Sequence, residues 1–142
     1  MPKQIASLTL GEAQKLIAAA EAKARELKVP SNIAVVDAGG NLISHIRMDG
    51  AWIGSIDISI NKAYTARLFD MPTEDLAKMA QSGRPLFGIN STNNERIVIF
   101  AGGIPVKLGE EVIGAVGASG GTVDQDQKVA QAAVEAFSAS LQ

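Results

Sequence analysis

Residues 114–130 read GAVGASGGTVDQDQKVA, and how this stretch is understood decides the fold. Its centre, Gly117-Ala118-Ser119-Gly120-Gly121, matches the G-x-S-x-G of a nucleophile elbow, a turn that joins strand to helix on a parallel sheet. The rest of the chain points elsewhere. A serine hydroxyl needs a base to take its proton, usually a histidine held by a carboxylate. The one histidine, His45, lies upstream of Ser119, whereas hydrolases with this elbow run serine, acid, histidine. Glycines at a helix N-terminus also suit phosphate. Here Asp124 and Asp126 already put negative charge in the first turn, and the Gly-Lys-Ser/Thr ending of a P-loop is missing. The stretch therefore predicts a glycine-rich strand that turns sharply into a helix with Thr122 and Gln125 as its capping box.

Working outward, the segments ERIVIFA (95–101), IPVKL (104–108) and EVIGAVGAS (111–119) predict three strands. Gly102-Gly103 and Gly109-Glu110 separate them, and links this short favour antiparallel neighbours. The last helix is expected from about Thr122 to Leu141, burying Ala130, Ala133, Val134, Phe137 and Leu141. Near the start, Leu10, Ala13, Ile17, Ala20, Ala24 and Leu27 recur at helical spacing, with Thr9 and Glu12 as a capping box and Pro30 just past the end. NIAVVD (32–37) and NLISHIRM (41–48) predict a hairpin turning at Ala38-Gly39-Gly40.

Between these blocks lie two further helices. One is capped by Ser55 and shows Ile56, Ile60, Ala63 and Arg67 on a face; the other begins near Thr73, with Glu74 placed to pair with Lys78. From Gln81 to Asn94 glycine, proline, serine and asparagine predict a long loop anchored by Leu86, Phe87 and Ile89. The expected class is α+β, in the order α-β-β-α-α-β-β-β-α, with a five-stranded, mainly antiparallel sheet carrying helices. One domain over residues 1–142 is expected, since the chain suffices for one core and is short for two.

Composition narrows the function. With 13 basic and 15 acidic residues the formal charge is -2, and no segment concentrates Lys or Arg as a nucleic-acid surface requires. The absence of cysteine removes disulfides, thiolate metal sites and a cysteine nucleophile. No apolar run approaches the roughly 20 residues of a membrane span. The N-terminal residues lack a signal core, so a cytoplasmic protein is expected, with neither nucleic acid nor membrane as partner.

The concentration of polar chemistry is the second strand. Alternation puts Leu42, Ser44, Ile46 and Met48 on one face, expected as core, and Ile43, His45, Arg47 and Asp49 on the other. Two readings of the second face stand: a solvated or subunit-contact surface, or a pocket where Arg47 binds a carboxylate and His45 is a metal ligand or acid/base. One histidine and no cysteine cannot build a zinc site within a chain. Haem needs only one or two axial ligands, from among His45, Tyr64 and the methionines. Arg84 and Phe87 in the long loop are candidates to line or cover such a pocket. Asp57 and Lys62, five apart on one helix, do not share a face and are not expected to act as a pair.

The segments VVDAGGNLI, RMDGA, SIDISINKAYTA, MPTEDLA, GGIPV and IGAVGASGGTVDQDQKVA, in this order, resemble the GlcG/HbpS family, which is similar to the C-terminal domain of PduO-type cobalamin adenosyltransferases. The resemblance runs from about Thr9 to Phe137 and implies a profilin-like domain, assembly into tetramers or octamers, and binding of haem or a related tetrapyrrole. It also implies an axial histidine on the N-terminal helix, which has no counterpart here. His45 is then the remaining nitrogen ligand for haem iron, with Arg47 and Arg84 available for propionates. Alternatives are an enzyme or accessory factor for a carboxylate metabolite, with Arg47 as clamp and His45 or Asp49 as acid/base, and a scaffold without chemistry.

Overall fold

The computed structural model describes residues 1–142. The chain forms α1 (Leu10–Leu27), β1 (Asn32–Asp37), β2 (Leu42–Arg47), α2 (Gly54–Phe69), α3 (Thr73–Met79), β3 (Gly103–Leu108), β4 (Glu111–Ser119) and α4 (Val123–Ser140). The sheet has four strands in the order β2-β1-β4-β3, every pair antiparallel. The two hairpins therefore meet through β1 and β4, and β2 and β3 are edges.

Because side chains alternate across a strand, the sheet has two differently used faces. On one, Ile33 and Val35 of β1, Val116 and Ala118 of β4, and Val106 of β3 join Leu16, Ile17 and Ala20 of α1 and Val129, Ala133 and Phe137 of α4 in one apolar cluster. Fully burying each aliphatic side chain of this kind stabilises by roughly 1.5–3 kcal/mol. Both helices begin with the expected capping boxes, Thr9 with Glu12 and Thr122 with Gln125. On the other face α2 lies against Ala34, Val36 and Ala115 through Ala63 and Ala66.

Close approach of neighbouring elements explains two glycines of the opening stretch, and for Gly117 the neighbour is α2. A Cβ at Gly117 would run into the Ser59 carbonyl oxygen of α2, and one at Gly114 into the Val36 carbonyl oxygen and Leu8. Ser119 is buried, and its hydroxyl donates to Ser55 Oγ at 3.0 Å. It is a joint between strand and helix, with no base bonded to it. In the β1–β2 hairpin, Gly40 has φ +78°, and Asp37 Oδ1 accepts from the N–H groups of Gly39 and Asn41.

Four expectations are corrected. First, the sheet has four strands, because ERIVIFA joins no ladder. It docks on α2 instead: Thr65 Oγ1 accepts from Val98 N–H at 3.0 Å and donates to the Arg96 carbonyl, with Ile97 buried. Second, a β-bulge between Val35 and Val36 breaks the alternation of β2. Ile43 consequently packs on the large cluster while Leu42 is exposed. Third, α2 starts after Ile53 with no side-chain cap, and its buried face is mostly polar: Ser55, Ser59, Asn61, Lys62 and Thr65, besides Ala63 and Ala66. Fourth, Phe87 is 69% exposed and Leu86 is also exposed, so neither anchors the long loop. Smaller differences are the exposure of Leu141 and an Asp75–Lys78 ion pair in place of one from Glu74.

Candidate functional site

His45 stands on edge strand β2 opposite Ala34, which turns its ring toward the α2 side of the sheet. The imidazole is half-buried, and its Nε2 is buried without a hydrogen-bond partner. Burial, and secondly the positive charge of Arg47, lower its pKa from the ordinary 6.5, so the ring is neutral at pH 7. Two residues back along β1, Asn32 lies opposite Arg47 and is fully buried. Its Nδ2 donates to the Trp52 carbonyl at 3.0 Å, and its Oδ1 has no partner. Two unsatisfied buried polar atoms thus sit at diagonal positions on one face of one hairpin. Such atoms are uncommon enough to need an explanation.

Arg47 is exposed and makes no ion pair. The remaining predicted residues are not gathered around His45. Asp49 lines a cleft of about 410 Å³ with Arg25, Lys28, Pro30 and Met48, and neither His45 nor Arg47 belongs to it. Pairing with β1 is regular from Ser44 to Arg47, and the turn Met48–Ala51 then carries the chain away, so Asp49 is parted from His45 and Arg47. Arg84 and Phe87 share a turn, Phe87 N–H donating to the Arg84 carbonyl, and no hydrogen bond, ion pair or cleft joins them to His45. Of the other haem-ligand candidates, Met48 Sδ accepts from Ser31 N–H, and the Tyr64 ring is covered by the Arg96 guanidinium at 3.5 Å from its centroid. No group of three or more His, Asp or Glu side chains converges on a metal position, and no helix is long and apolar enough to cross a membrane.

A second constellation lies beneath α2. Lys62 has an accessibility of 0%, with its Nζ 3.0 Å from Asp126 Oδ2, 2.9 Å from the Ala118 carbonyl and 5.1 Å from the centroid of Phe100. The other oxygen of Asp126 accepts the N–H groups of Gly120 and Gly121 at 3.0 and 2.9 Å. Desolvation pushes the Lys62 pKa below its ordinary value, and Asp126 opposes that shift. The surroundings make room for this lysine: a Cβ on Gly102 would lie 2.6 Å from its Nζ, and one on Gly103 would meet its carbonyl. Local spacing could not have shown the pair, whose members are 64 positions apart. The available signals were a lysine among small residues in SINKAYTA and an aspartate one step beyond a capping residue's usual reach.

The family model described as "Haem degrading protein HbpS-like" matches residues 8–135. The 15.0 kDa protein of the dhaT–dhaS intergenic region of Citrobacter freundii is 51% identical over 136 residues, spanning 96% of each chain. The crystal structure of Klebsiella pneumoniae protein ORFY superposes with a TM-score of 0.95 at 48% identity, covering 97% of this chain and 95% of that one. The crystal structure of a PduOC:heme complex superposes with a TM-score of 0.88 at 34% identity, covering 93% and 95%. The fold is thus shared along nearly the whole chain, and the chain belongs to the HbpS-like family.

Proposed function

We propose that this chain binds haem or a related tetrapyrrole as a homo-oligomer, with His45 Nε2 as the iron ligand. The observation that carries this reading is the unspent Nε2 of the chain's one histidine, on a strand edge whose ring is held neutral. A neutral imidazole has the lone pair that a metal requires. The likeness to a protein crystallised with heme supports the ligand class.

The donor set fits what haem needs, one axial nitrogen and cationic partners for carboxylates. Arg47, exposed and without an ion pair, is placed beside His45 for a propionate. Arg84 is a further cation and Phe87 an exposed ring for contact with the macrocycle, brought in when copies of the chain meet. None of the four clefts includes His45 or Arg47, and Nε2 is buried, so binding turns the imidazole outward at the strand edge to meet a flat ligand that a second copy completes. The tetrapyrrole supplies the redox or Lewis-acid chemistry; the chain supplies orientation and charge. Residues 1–142 act as one such binding domain. The place of the Citrobacter relative between dhaT and dhaS supports a role accessory to neighbouring gene products.

Hemin titration tests the proposal. A saturable Soret shift is expected for the wild type, collapsing in His45→Ala and weakened in Arg47→Ala. Absence of a shift at micromolar hemin, or an unchanged spectrum in His45→Ala, sinks it.

A further inference from the structure

The Lys62–Asp126 pair is buried at a place where apolar packing would serve stability as well. Taking two charges out of water is costly before their attraction returns it, and apolar replacements of such pairs are often neutral or stabilising. What this pair does that apolar residues could not is hold backbone. Asp126 Oδ2 is fixed by the ammonium while Oδ1 takes both glycine N–H groups, so the carboxylate ties α2 to the Gly120–Gly121 turn. That turn forms a wall of a cleft of about 440 Å³, together with Lys28, Pro30, Thr122 and Trp52, the chain's one tryptophan, which is 65% exposed. On its other side the ammonium lies under Phe100, at the end of the irregular segment leading into β3.

We propose that Lys62 and Asp126 are a positioning pair that sets the wall of the Trp52 cleft and couples it to Phe100. The chain of contacts is continuous: Phe100 ring, Lys62 ammonium, Asp126 carboxylate, Gly120 and Gly121 amides, cleft. Displacing Phe100 admits water to the ammonium, weakens its hold on Asp126, and frees the turn beside Trp52. A partner that covers or moves Phe100 thereby changes the cleft without touching it.

Amide hydrogen exchange at Gly120 and Gly121, read with Trp52 fluorescence, tests this in the full chain. In Lys62→Met the two amides are expected to exchange about tenfold faster or more, because the carboxylate loses its partner and turns toward solvent. The β1–β4 ladder amides stay protected, and the Trp52 emission shifts. In Lys62→Met/Asp126→Asn the unpaired charge is gone while the amide oxygen still accepts both N–H groups, so exchange returns to within about threefold of wild type. Phe100→Ala, at a partly exposed position, speeds the same two amides although Phe100 bonds to neither. Unchanged Gly120 and Gly121 exchange in Phe100→Ala overturns the coupling, and decides the matter if Lys62→Met does not fold. Equal acceleration across the whole sheet in Lys62→Met, or no recovery in the double variant, reduces the pair to a structural one.

Discussion

The two faces of the sheet are stabilised by opposite means. Under α1 and α4 sixteen buried apolar residues pack in one cluster, and both helices carry capping boxes and an apolar stripe. Under α2 the apolar cluster has five residues, four of them small or alanine, and the helix buries Ser55, Ser59, Asn61, Lys62 and Thr65 without a cap of its own. The first face shows what a general core requires, volume and periodicity. The second shows what a specific contact requires: glycines that let backbones touch, and partners for most of the polar groups it buries. The two side-chain atoms left without one, Asn32 Oδ1 and His45 Nε2, are both on that second face.

Substitutions can break or sharpen this contrast. The largest effect is expected from Lys62→Ala, which leaves Asp126 as an uncompensated buried charge and should cost about 3–5 kcal/mol in urea unfolding. A loss under about 1 kcal/mol would mean that the polar face is not held by its ion pair. On the apolar face Leu16→Ala should cost about 2–5 kcal/mol by creating a cavity. Its unfolding should stay two-state, and it should leave hemin binding intact. Thr122→Ala removes one half of the α4 capping box and should lower stability by about 1 kcal/mol; Ser55→Ala should not behave as a lost cap, since Ser55 serves Ser119 instead.

The smallest effect is that of pH. His45 has a folded pKa below 6.5, so over the window beneath 6.5 the unfolded chain binds the extra proton first. Its contribution to stability is whole above 6.5 and is lost as pH falls through the folded value. Urea midpoints measured from about pH 8 down to pH 5 should therefore fall more in the wild type than in His45→Gln. Equal slopes would show that the imidazole is not screened from water as the structure places it.

What could be read early follows the same division. Helices α1 and α4 were legible because their stripes and caps are local, set within three or four residues. The hairpin at Gly39-Gly40 and the strand-to-helix turn after Ser119 were legible for the same reason. ERIVIFA has a strand's composition, yet it docks on α2 through Thr65 with Ile97 buried, a choice no propensity contains. Alternation misplaced Leu42 and Ile43 because one bulge shifts the register by a residue. Of the candidate site, the individuality of His45 was visible in composition, but its separation from Asp49, Arg84 and Phe87 was not, since chain direction after a turn is a three-dimensional matter.

By itself the sequence determined the class, the helices with local signals, the antiparallel connections implied by short glycine links, and the family, whose motifs are strings of residues. Tertiary structure alone decided which face of α2 is buried, that the sheet closes at four strands, and that Lys62 meets Asp126. The physical reason is range. Caps, turns and periodicity act between near neighbours in the chain, whereas a buried charge is tolerable only where a distant partner and a glycine-sized space are brought to it.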